Sequence, residues 1–172
     1  FASSVRRAQA TTHRGGRNPR ATRDTVIATG MVDADGVGLD IRYMAGEVAG
    51  LDIGTFDLVT SVEVIEHVAD KPAFLRDVAA RLAPDGLLVM STPNRTAASR
   101  VLLVGAAEAV GYVPKGTHHW EDFITPVEFE ALLADAGLEV MDMQGIAFSP
   151  MSGLHLSDNV ALNYILSARL LG

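Results

Sequence analysis

Glu63, Glu66 and His67 stand within five positions of one another, directly after the apolar run Phe56-Asp57-Leu58-Val59-Thr60-Ser61-Val62. Two carboxylates and an imidazole in so short a stretch can do three things. Hard oxygens with one imidazole suit a divalent ion such as magnesium, manganese or zinc. The same groups can exchange protons, because imidazole titrates near neutrality and a neighbouring carboxylate retunes it. Or the acids simply favour the start of a following helix, and His67 is a solvated loop residue. Spacing alone leaves all three accounts open.

Something must hold these groups in place. The 56–62 run is β-prone and nearly continuous in apolar character, which predicts a strand buried on both faces, as in a parallel sheet covered by helices. Ligands of open α/β sheets bind outside the carboxyl ends of such strands, where Glu63 begins. Asp70-Lys71-Pro72 then reads as a helix start, with Asp70 as N-cap and Pro72 in the first turn. Phe74, Leu75, Val78, Ala79 and Leu82 supply its apolar face. Pro84-Asp85-Gly86 reads as a turn, and Leu87-Leu88-Val89-Met90 as a second buried strand ending at Ser91-Thr92-Pro93-Asn94. Together these make a βαβ unit with a right-handed crossover.

The flanking text is less uniform. Residues 24–35 have helical spacing, stopped by Gly36 and Gly38. Residues 39–45 alternate like a strand nearer the sheet edge, and 46–55 read as a connection. Residues 97–113 are the most apolar stretch and read as a buried helix, and His118, His119 and Trp120 follow them. Thr125-Pro126-Val127-Glu128 carries the signature of a capping box, Phe129, Leu132, Leu133 and Ala136 form that helix's face, and Gly137 ends it. Leu138–Phe148 and Val160–Leu170 are predicted as a closing antiparallel strand pair. No internal repeat is present.

Composition narrows the function classes. The chain has 172 residues, 48% of them hydrophobic and 20% charged, enough for one domain with a real core. It has no cysteine, so neither disulfides nor thiolate chemistry enters. The net charge is −7, and Arg6, Arg7, Arg14, Arg17, Arg20 and Arg23 all precede the first acid, Asp24. The remainder is strongly acidic, which argues against nucleic acid as a partner. Residues 1–23 hold too few large apolar side chains to offset ordering entropy, and predict a disordered or non-native basic segment ahead of a domain over 24–172. A nicotinamide-binding Rossmann enzyme is disfavoured, because its glycine fingerprint is missing.

Phe56-Asp57-Leu58-Val59, Glu63-Val64-Ile65-Glu66-His67-Val68, Leu82-Ala83-Pro84-Asp85-Gly86 and Ser91-Thr92-Pro93-Asn94-Arg95 resemble the class I methyltransferases that use S-adenosylmethionine. Val113-Pro114-Lys115-Gly116-Thr117-His118, Phe123-Ile124-Thr125-Pro126 and Val160-Ala161-Leu162-Asn163-Tyr164 are similar to the ubiquinone-biosynthesis O-methyltransferases among them. The resemblance covers the chain from about residue 24. It implies a Rossmann-like α/β sheet and methyl transfer to a phenolic or catecholic hydroxyl of a polyprenylated ubiquinone precursor. It further implies Glu63, Glu66 and His67 as magnesium positions, with Glu63 and His67 catalytic, and Val62 as a backbone contact to the cofactor. The resemblance implies a cytoplasmic enzyme, peripheral at the inner membrane through residues 97–120 and able to meet other ubiquinone-pathway enzymes. Residues 97–113 then read as a membrane-facing flap, with Arg100 and Lys115 near anionic headgroups. His118 and His119 read as the substrate mouth or plain surface, and Trp120 as interfacial or core. The family's glycine-rich turn has no counterpart here. That departure predicts a fragment, truncated or frame-disrupted at its start, with an open edge beside the 56–62 strand. The alternative is a chain without catalysis that binds lipid or a protein partner through residues 97–120.

Overall fold

The computed structural model describes residues 7–9, 44, 46–101 and 120–172. Six strands form one mixed sheet: β1 (Arg7–Gln9), β2 (Phe56–Val62), β3 (Leu82–Pro93), β4 (Leu138–Ser149), β5 (Gly153–Ser157) and β6 (Asn163–Leu170). Their order across the sheet is β1-β2-β3-β6-β4-β5. The first three run parallel, and every pairing from β3 outward is antiparallel. Where the sequence predicts an open edge beside β2, Arg7–Gln9 pairs with Leu58–Thr60. The helix predicted over 24–35 lies outside the described residues, as does the strand predicted over 39–45 apart from Met44, which is in neither helix nor strand.

Two helices cover one face of the sheet. Helix α1 (Lys71–Ala79) starts as its sequence predicts: Asp70 caps it, its carboxylate accepting from the Ala73 N–H at 2.9 Å. Helix α2 (Pro126–Asp135) carries the reciprocal capping box, Thr125 to the Glu128 backbone and Glu128 back to the Thr125 N–H. Gly137, at φ +78°, turns the chain out of it. Phe74, Leu75 and Val78 from α1 and Phe129 and Leu133 from α2 share a core with the inward rungs of the sheet. Those rungs follow from register: Val59, Leu88 and Ala168 make one, and Ser61, Met90 and Leu166 the next. Thr92 opposite Tyr164 makes a third. Each fully buried Leu, Met or Phe contributes about 1.5–3 kcal/mol.

Burial of β2 is uneven among the described residues: Val59 and Ser61 are buried, whereas Phe56, Leu58 and Thr60 are partly exposed. Two expectations are corrected by packing. Leu82 is the first residue of β3 and not the last of the helical face. Pro84-Asp85-Gly86 lies inside the β3 span as an irregularity, since Phe56 partners Leu82 while Leu58 already partners Leu87. Gly86 is needed there, because a Cβ would stand 2.8 Å from the Phe56 carbonyl oxygen.

The predicted closing pair is present, β4 antiparallel to β6. The segment joining them also contains β5, which pairs with β4 alone. No helix among the described residues is long and apolar enough to cross a membrane.

Candidate functional site

The parallel strands β2 and β3 end side by side, with Val62 opposite Ser91. Val62 is exposed at this carboxyl edge. The next residue, Glu63, takes φ +52°, a left-handed conformation that costs a non-glycine residue about 1–2 kcal/mol. Ser91 holds it there. The Glu63 N–H donates to the Ser91 carbonyl at 3.1 Å and to its hydroxyl at 3.3 Å, and that hydroxyl donates to Glu63 Oε1 at 2.8 Å. Strain of this kind gathers where side chains must be aimed.

The chain then makes a single 3-10 turn, Ile65–His67. Val64 and Ile65 anchor it in the core. Glu66 is 2% exposed, unusual for a carboxylate. Its Oε2 accepts from the Thr92 hydroxyl at 3.0 Å, while Oε1 has no hydrogen-bond partner and lies 3.8 Å from His67 Nε2. Burial raises the Glu66 carboxyl above its ordinary range, against the lowering pull of its own backbone N–H, Thr92 and Lys71. His67 is exposed at the rim.

The three residues marked by the sequence therefore hold different stations. Glu66 and His67 are adjacent, and Glu63 is bound to the end of β3. Among the described residues no three His, Asp or Glu side chains stand as a group able to hold a metal. One oxygen of Glu63 is engaged by Ser91 and one of Glu66 by Thr92. The magnesium expectation is thus not supported by the way these side chains are arranged.

Sequence reasoning missed Ser91 and Thr92 as site residues, although both are fully buried and bind the two acids. Their signal is two hydroxyls closing an otherwise apolar strand. Asn94 extends the same edge: its Nδ2 donates to the Val160 carbonyl at 2.9 Å, and its buried Oδ1 has no partner.

Beyond Asn94 the edge is built by a hydrogen-bonded loop cluster. Thr96 Oγ1 donates to the Ala161 carbonyl at 2.6 Å, and Trp120 Nε1 to the Thr96 carbonyl at 2.8 Å. The Arg100 guanidinium lies over the Trp120 ring, 5.2 Å from its centre. Residues 102–119, including Lys115, His118 and His119, lie outside the described residues. A cleft of about 410 Å³ opens elsewhere, lined by Lys71, Arg95, Asp122, Glu128 and Leu132 among others. It includes none of Glu63, Glu66 and His67, so cavity size does not locate this chemistry.

Residues 6–142 match a family profile described as a methyltransferase domain. The chain belongs to the methyltransferase family. Methyltransferases of known structure share its fold. One from Clostridium acetobutylicum, described as S-adenosylmethionine-dependent, superposes with a TM-score of 0.64 at 12% identity, covering 98% of this chain and 76% of the other. The magnesium protoporphyrin IX methyltransferase of Synechocystis PCC 6803, solved with bound SAH, gives a TM-score of 0.56 at 17% identity, covering 87% and 61%. The sheet is thus the Rossmann-like class I methyltransferase sheet that the sequence implies.

Nearer in sequence are proteins named ubiquinone biosynthesis O-methyltransferase. That of Paramagnetospirillum magneticum is 42% identical over 146 residues, 83% of this chain and 59% of the relative. That of Xanthomonas axonopodis pv. citri is 42% identical over 133 residues, 76% of this chain and 56% of the relative. This methyltransferase chain spans somewhat under three-fifths of the length of these two curated relatives.

Proposed function

We propose that the chain transfers a methyl group from S-adenosylmethionine to a phenolic or catecholic hydroxyl of a polyprenylated ring in ubiquinone synthesis. The supporting observation is the 42% identity, over 83% of the chain, to a protein named ubiquinone biosynthesis O-methyltransferase. The cofactor would sit at the exposed carboxyl edge of β2, where the Val62 backbone would meet it. When bound, it supplies an electrophilic methyl group.

The protein's own task is the acceptor. A phenol ionises near pH 10 and is a weak nucleophile at neutrality. His67, exposed at the same edge, would take the hydroxyl proton. Glu63, fixed by Ser91, would orient the ring oxygen toward it. Residues 97–120 would meet the lipid from which such a substrate comes, with the Arg100 guanidinium lying over the Trp120 ring within that segment.

Calorimetric titration with S-adenosylmethionine, followed by methyl transfer to a water-soluble catechol, tests the reading. Micromolar binding and transfer are expected, with His67→Ala lowering turnover about 10²–10⁴-fold while leaving cofactor affinity unchanged. A folded sample that binds no cofactor would sink the enzyme reading. It would favour the alternative, a chain without catalysis that binds lipid or a protein partner.

A further inference from the structure

The amide of Asn94 is engaged at one end and idle at the other. Its Nδ2 donates to the Val160 carbonyl at 2.9 Å, while Oδ1 is buried and has no hydrogen-bond partner. A flipped amide would set its oxygen against the Val160 carbonyl oxygen, so this hydrogen bond settles which atom is which. The residue is 5% exposed, and its backbone N–H donates to the Leu162 carbonyl at 2.9 Å. A buried acceptor left unpaired is costly, and native structures seldom keep one without a use for it.

Strand order tells where the idle oxygen points. β3 lies between β2 on one side and β6, then β4, on the other. Val160 belongs to the stretch that passes over β4 at Gly145 into β6, so Nδ2 reaches toward the β6 side. The two heads of an amide diverge, which turns Oδ1 away from β6 and toward the side of β2. There the acids stand, Glu63 bound at Ser91 and Glu66 at Thr92. Asn94 lies two residues past Thr92, about 7 Å farther along extended chain. Among the described residues five buried polar atoms lack a partner, and four of them, on Ser61, Glu66, Asn94 and Asn163, lie at this end of the sheet. The fifth, on Arg81, is at the other end, beside the start of β2.

We propose that Asn94 is a specificity-determining residue, its Oδ1 accepting a hydrogen bond from the ring hydroxyl beside the one that is methylated. The inference rests on the proposed function in that the ligand is a phenolic ring bound at this edge. An amide oxygen can only accept, so it favours a hydroxyl over a hydrogen atom or a methoxy group in the same place. Burial sharpens the choice, because no water replaces a missing donor there. A catecholic ring is thereby selected over a simple phenol, and over the same ring once the neighbouring oxygen carries a methyl group.

The test is calorimetric titration of the full chain with catechol, phenol and guaiacol, the monomethyl ether of catechol. Wild type is expected to bind catechol roughly tenfold or more tightly than either of the others. Asn94→Leu, close in volume, should lose that preference by weakening catechol alone, whereas a merely structural role would weaken all three ligands alike. Circular dichroism establishes that the variant is folded, and the wild-type comparison decides even where it is not. Equal wild-type binding of catechol and phenol overturns the proposal, as does guaiacol bound as tightly as catechol, or no ring bound at all. So does a preference that survives in folded Asn94→Leu. Methyl transfer to catechol is measured separately. A binding preference without transfer would count against the enzyme reading alone and leave Asn94 as the residue that recognises the ring.

Discussion

At the scale of single residues, the site turns on how two acids are held. Glu63 accepts a strained backbone angle because Ser91 supplies a hydroxyl and a carbonyl to the same residue. Glu66 is buried with one oxygen unpartnered, so ionisation there is costly and its carboxyl is raised by burial. The sign of the pH effect follows. An acid whose folded pKa lies above its unfolded value contributes stability that is present at low pH. That contribution is lost as pH rises through the folded pKa. Glu66→Gln keeps an acceptor for Thr92 and removes the ionisation. Urea unfolding should therefore show the variant gaining on wild type from the ordinary carboxylate range up to neutral pH, and no gain at the acid end. A gain independent of pH would point to packing as the cause.

At the scale of elements, the end of the sheet depends on one close approach. Gly145 is paired on both sides, to Ser157 and to Tyr164, and a Cβ on it would stand 1.9 Å from the Asn159 carbonyl oxygen. The segment 158–162 therefore crosses directly over β4 before entering β6, and from there its Val160, Ala161 and Leu162 carbonyls accept from the Asn94–Thr96 loop. Gly145→Ala should cost about 1–3 kcal/mol or more in unfolding free energy, because backbone and not a flexible side chain must move. The proposed methyl transfer should suffer along with stability, since the displaced segment braces the site edge. The β4–β5 hairpin beyond Gly145 was the least readable element. The alternation Leu154-His155-Leu156 is present, yet all three side chains are exposed, so the usual pairing of apolar residues with a core gives no cue.

At the scale of the whole molecule, cooperativity should follow the order of strands. β6 is flanked by β3 and β4 and carries Tyr164, Leu166 and Ala168 into the common core. The Tyr164 hydroxyl donates to the Ile124 carbonyl at 3.0 Å, and its ring meets Phe129 edge-on at 6.2 Å, which ties β6 to α2 and to the loop before it. Burial raises the Tyr164 phenol well above its usual range, so it stays a donor at all working pH values. Hydrogen exchange should therefore find the amides of β3 and β6 among the slowest, opening only with global unfolding, and those of β5 fast. Rapid exchange throughout β6 would contradict this account of the core.

Local chemistry is what the sequence by itself determined. The Asp70 cap, the Thr125–Glu128 capping box, the βαβ unit and the stretch ending in Glu63, Glu66 and His67 were legible, because each depends on neighbours a few residues away. The family was legible in the same way, from short runs of residue types. Tertiary structure alone decided which partner each acid meets. Ser91 reaches Glu63 and Thr92 reaches Glu66 across 28 and 26 positions of chain, a separation no local pattern encodes. It also decided that β6 enters between β3 and β4 and that β5 is left exposed. Strand order is set by the free energy of burying whole faces together, and no short stretch of chain carries that sum.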